Sequence, residues 1–89
     1  MKTKELTLPF HNESSNIVKL YVEPLSEFFY IYSGQQVIVT AICEASAKHT
    51  SFTIAPSDDC IIVYAPGDVK SFVDVYVMFE NNRLTPDGN

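Results

Sequence analysis

The chain has 89 residues, 46% of them hydrophobic, with 19% charged and only three glycines. A typical domain runs to ~100–150 residues, so there is room for one small core and no second domain. Abundant aromatic and β-branched residues exclude intrinsic disorder, no run approaches the ~20 apolar residues of a membrane-spanning helix, and a net charge of −5 argues against a nucleic-acid binder.

Period-2 alternation dominates, and helical spacing is nearly absent. After a polar cluster at 11–16, Val18, Leu20 and Val22 share one face of an expected strand, with Lys19, Tyr21 and Glu23 on the other. A proline turn, Glu23-Pro24-Leu25-Ser26, leads into a run over 27–32. Its inward face is undecided, because Phe28, Tyr30 and Tyr32 oppose Phe29 and Ile31. Ser33-Gly34 breaks the chain before a valine-rich run over 36–43. Glu44–Lys48 has the composition for a single helical turn. Two further β-rich runs, 50–55 and 60–65, flank Pro56-Ser57-Asp58-Asp59. After Pro66-Gly67-Asp68 the last long strand sets Val73, Val75, Val77 and Phe79 against Asp74, Tyr76 and Met78. Asn81-Asn82 can reach positive φ and close a tight hairpin.

The expected fold is all-β: a single antiparallel β-sandwich or flattened barrel of seven to eight short strands over residues 1–84. A parallel sheet would call for crossover helices that the chain has no length to make. The polar segment 85–89, with Pro86 and Gly88, is expected to be a disordered tail.

Cys43 and Cys60 are too few for a disulfide framework and read as reduced residues near the core. The opening MKTKELTLPF has no apolar signal core, so a cytoplasmic address is expected. His11 and His49 lie in turn-like segments, with no nucleophile motif around any serine and neither C-x-x-C nor H-x-x-x-H spacing. Two histidines, two cysteines and Met78 match the ligand types of a blue-copper site, but no histidine follows a cysteine to share one ligand loop. Asp58, Asp59 and Asp68 lack the spacing of a calcium loop. No catalytic residue, metal or cofactor is expected.

Surface chemistry carries the functional reading. Within residues 5–82, three lysines face ten acids, a net of −7. Such a body attracts and steers a basic partner, although acidity also serves solubility. Tyrosines among carboxylates suit the same partner, since the rings anchor where the acids steer. The candidate contact residues are Tyr21, Glu23, Asp58, Asp59, Asp68, Asp74 and Tyr76.

Leu20-Tyr21-Val22-Glu23-Pro24, Phe29-Tyr30-Ile31, Gly34-Gln35-Gln36-Val37, Ile62-Val63-Tyr64 and Gly67-Asp68 together resemble a group of small acidic bacterial β-sandwich proteins. That group carries an L-x-x-E-P segment, an aromatic pair and a glycine turn before a valine-rich strand. Many of its members have tryptophan after the E-P pair, where Leu25 stands here. In size, charge and expected fold the chain is also similar to immunity proteins of bacterial toxin systems, including contact-dependent growth inhibition. The resemblance implies a non-enzymatic partner of one basic toxin domain, such as a nuclease, whose active-site cleft it covers. The alternative is a stand-alone sandwich that binds a small molecule or peptide and pairs as a homodimer through an edge strand.

Overall fold

The computed structural model describes residues 2–67 and 70–89. Eight strands run in order: β1 (Thr3–His11), β2 (Val18–Glu23), β3 (Glu27–Ile31), β4 (Gln36–Glu44), β5 (Thr53–Pro56), β6 (Ile61–Tyr64), β7 (Phe72–Phe79) and β8 (Asn82–Arg83). They form two four-stranded sheets, β1-β4-β7-β8 (sheet A) and β3-β2-β6-β5 (sheet B). The architecture is an all-β sandwich, not a closed barrel.

Alternation decides the core. Leu20, Val22, Phe29, Ile31 and Val63 from sheet B meet Val37, Val39, Ala41, Val75 and Val77 from sheet A, all essentially without exposure. Each stands two residues from the next on its strand, which is the spacing that sends side chains to one side of a pleat. Strand β3 is settled by the same rule: Phe29 and Ile31 turn inward, so Phe28, Tyr30 and Tyr32 turn outward. Cys43 is buried and Cys60 half-buried, and both are free thiols.

Several expectations meet differences with identifiable causes. Strand β1, the N-terminal run Thr3–His11, adds to the expected strands; only Leu6, Leu8 and Phe10 mark its inward side, a weak signal in the sequence. The pairing of β2 with β6 is parallel, with Leu20 opposite Ile61 and Glu23 opposite Tyr64. No crossover helix is needed because the chain between them passes through β4 of the other sheet. Val73 does not join Val75 and Val77 in the core: a register shift pairs Ile42 with Asp74 but Cys43 with Phe72, so Phe72 takes the inward place. Glu44–Lys48 makes a turn closed by the Ala47 N–H on the Glu44 carbonyl (2.9 Å), not a helical turn. The segment 85–89 lies along β3: the Phe28 N–H donates to the Gly88 carbonyl and the Asp87 N–H to the Phe28 carbonyl, both at 2.9 Å.

The β7–β8 hairpin turns one residue earlier than expected. Phe79 pairs with Asn82, leaving Glu80 (φ 49°) and Asn81 (φ 68°) as two central residues with positive φ. That is a type I′ pattern, which matches the twist of the strands. Asparagine tolerates it; glutamate is strained there. Replacing Glu80 with Asn is expected to stabilise the protein by about 0.5 kcal/mol, visible as a higher urea midpoint at unchanged slope.

At one end of the sandwich the buried Asn12 joins the two sheets. Its Nδ2 donates to the carbonyls of Asn16 (2.8 Å) and Ile31 (2.9 Å), and its Oδ1 accepts from the Ser14 N–H and hydroxyl. Asn12→Ala would remove the buried donor to the Ile31 carbonyl and leave a polar-lined void, so we expect a loss of about 2 kcal/mol in denaturant unfolding. Asn12→Asp, which keeps the acceptor and removes both amide donors, should lose nearly as much.

Candidate functional site

The two sheets present two outer faces, and they differ in kind. On sheet B the register sets Lys19 beside Tyr30, Tyr21 between Phe28 and Ile62, and Glu23 beside Tyr64. Because Leu20, Val22, Phe29, Ile31 and Val63 take the inner positions, all of these project outward. The result is a continuous aromatic surface. Tyr30 is 42% exposed, Tyr64 44% and Tyr32 53%. Ile17 extends it beside the start of β2.

The rings support one another. Phe28 lies 5.8 Å from Tyr21 and 5.4 Å, edge-on, from Tyr30. The Lys19 ammonium sits 4.1 Å from the centre of the Phe28 ring and 5.9 Å from that of Tyr21. A cation held there covers part of the aromatic surface and fixes the Phe28 ring. Phe28 is also buttressed from the side: a Cβ placed on Gly88 would come within 2.5 Å of its ring, so only glycine lets the C-terminal segment lie this close.

Carboxylates border the surface. Glu23 stands at one end, with its Oε2 accepting weakly from the Ser26 hydroxyl at 3.4 Å. Asp58 and Asp59 lie at the other end, in the turn between β5 and β6 that the Ser57 N–H closes on the Cys60 carbonyl (2.8 Å). Asp59 shares a shallow groove with Ile17 and Lys19. Asp87 flanks β3 and accepts from the Tyr30 N–H at 2.8 Å. Among the described residues, neither Glu23 nor the Asp58–Asp59 pair forms an ion pair.

The sequence-derived contact set therefore divides. Tyr21 and Glu23 belong to this face, and Asp58 and Asp59 to its border. Asp74 and Tyr76 do not: they project from β7 on the outer face of sheet A, across the core from the others. Both are also engaged already. The Arg83 guanidinium lies 4.8 Å over the Tyr76 ring and 3.5 Å from Asp74 Oδ2, and Asp74 Oδ1 accepts from the Val75 N–H (2.8 Å). Asp68 lies outside the described residues. Phe28, Tyr30, Tyr32, Ile62 and Tyr64 complete the face; the parity of β3 was the signal for three of them, and it could be read only once Phe29 and Ile31 were known to point inward.

A cleft of about 310 Å³ opens at the Glu23 end of the face, lined by Glu23, Pro24, Tyr64, Ala65, Pro66 and Phe72 among others. The Ala65 N–H donates to the Glu23 carbonyl (2.9 Å) and fixes the two strand ends that form it. Elsewhere, His11 faces Glu13 at 3.4 Å on the surface, His49 is exposed, and no three His, Cys, Asp or Glu side chains converge among the described residues. No helix among them is long and apolar enough to cross a membrane. Comparison with protein-family models, with curated proteins and with solved structures finds no match.

Proposed function

We propose that this chain is a non-enzymatic binding domain that neutralises a basic protein, most concretely the nuclease domain of a toxin, by covering its active-site cleft in the cytoplasm. One observation carries the reading: an aromatic surface on sheet B bordered by Glu23, Asp58, Asp59 and Asp87, with Lys19 as the one cation on the strands of that sheet. Exposed rings backed by a rigid sheet cost little conformational entropy when they bind, and they anchor interfaces for that reason. The carboxylate border selects the sign of the partner. A second copy of the chain would bring like-charged borders together, which repel, whereas a surface of Lys and Arg that holds substrate phosphates is complementary. Asp74 and Tyr76 stand outside this interface and act within sheet A.

The partner is to be recovered from the native host at low salt on immobilised protein, and its nuclease activity measured with and without this chain. Inhibition at equimolar ratio is the expected result; a recovered basic protein whose activity is unchanged would sink the reading. Against that partner, Tyr30→Ala combined with Tyr64→Ala should weaken binding by about 100-fold, which corresponds to about 3 kcal/mol for the two anchors together. Tyr76→Ala should leave it within a few-fold. The association rate should fall by about tenfold between ~0.01 and ~0.15 M ionic strength as the Debye length shrinks. A salt-independent association rate would argue instead for an apolar ligand.

A further inference from the structure

The outer surface shows twice how this chain holds a cation against a ring. On sheet A, Arg83 lies over Tyr76 with Asp74 beside it; on sheet B, Lys19 lies over Phe28. A third outward pair has the acid and the ring alone. Glu23 and Tyr64 are register partners across β2 and β6, and among the described residues no Lys or Arg makes an ion pair with the one or a ring contact with the other. They stand at the cleft whose walls are otherwise Pro24, Ala65, Pro66, Gly67 and Phe72. Its volume of about 310 Å³ is at the lower end of small-ligand pockets, roughly 300–1,000 Å³, and suits one inserted side chain.

We propose that this cleft receives an arginine side chain of the basic partner. The chemistry is specific to guanidinium. Its planar face stacks on Tyr64, its aliphatic stem lies against Pro24 and Pro66, and its paired N–H groups donate to the Glu23 carboxylate. The apolar walls strengthen that contact by excluding water from one side. Lys48 borders the neighbouring hollow that shares Tyr64, and it leaves the Glu23 side open. This assignment rests on the protein-binding reading above and adds the contact that gives it an anchor away from the centre of the face.

The test needs no partner protein. The full chain, labelled with nitrogen-15, is titrated with N-acetyl-arginine amide and separately with N-acetyl-citrulline amide, a neutral molecule of nearly the same shape. The arginine probe should produce saturable shifts at the amides of Glu23, Tyr64 and Ala65, and citrulline should bind several-fold more weakly. Glu23→Gln should weaken the arginine probe by about fivefold, and Tyr64→Ala by a similar factor, with the rest of the spectrum unchanged; Asp74→Asn should have no effect. Equal binding of citrulline, no saturable shift at these amides, or an unaltered response in Glu23→Gln would each overturn the assignment. Failure here and failure of the inhibitor reading are separable. Arginine binding without any inhibited nuclease refutes the toxin partner and keeps the cleft; inhibition that depends on Tyr30 with a cleft blind to arginine refutes the cleft alone.

Discussion

The carboxamide of Asn12 holds one end of this sandwich together, and much of the rest is arranged around it. Two stacked sheets joined only by apolar contact can slide, because the hydrophobic effect has no direction. Asn12 supplies direction. Standing just after β1 in sheet A, it donates to the carbonyl of Ile31, the last residue of β3 in sheet B. Its main chain is bound as well: its N–H donates to the Gln35 carbonyl (2.9 Å), and its carbonyl accepts from the Gly34 N–H (2.8 Å). Gly34 adopts φ 84°, a value open to glycine at little cost, and so delivers its N–H to that carbonyl. One residue, through its side chain and its main chain, thereby fixes the end of β1, the turn before β2, the end of β3 and the turn into β4. The buried amide is fully used, which is the condition under which a polar group inside a core specifies rather than destabilises.

That tie has a consequence for the opposite surface of β3. It fixes the end of a strand whose Phe29 and Ile31 are buried, so that parity sends Phe28, Tyr30 and Tyr32 outward, onto the side of sheet B that carries Tyr21, Ile62 and Tyr64. The strand is also an edge, and an edge with aromatic side chains invites uncontrolled pairing. Its outward N–H groups are closed one by one: Phe28 by the Gly88 carbonyl, Tyr30 by the Asp87 carboxylate and Tyr32 by the Gln35 amide oxygen at 2.7 Å. Side chains stay available while the backbone is sealed. Along β3 the surface is thus suited to recognition through rings and charges and not through an added strand.

The core was legible in the sequence because its signal is local. Leu20 and Val22, or Val75 and Val77, declare an inward side within a single strand, and valine-rich alternation admits few other structures. Strand β1 was less legible: an edge strand half covered by its neighbour needs few large apolar residues, and it has only three, Leu6, Leu8 and Phe10. The parallel contact of β2 with β6 was out of reach, since nothing local reports which strands become neighbours after the chain has crossed between sheets. The same gap misled the site. Alternation states that Tyr21 and Tyr76 both face out, but not that they face out on opposite sides of the molecule. Val73 shows the remaining failure, because a bulge moves one residue out of phase and no turn residue marks it in the chain.

The two outer faces then differ for an electrostatic reason. On sheet A the acid, the ring and the cation of one cluster are all supplied by the chain, so Asp74, Tyr76 and Arg83 satisfy one another. On sheet B the acids outnumber the single lysine, and that lysine is spent on Phe28. Exposed ion pairs contribute little to stability, typically ~0–1 kcal/mol, so completing sheet B with a further internal cation would have gained the fold almost nothing. The same carboxylates gain more when a partner's cation arrives together with the burial of the rings, because excluding water strengthens each charge-assisted hydrogen bond. On the reading proposed above, a surface left short of cations costs the free protein little and favours the complex, which is how a binding face would differ from a merely exposed one.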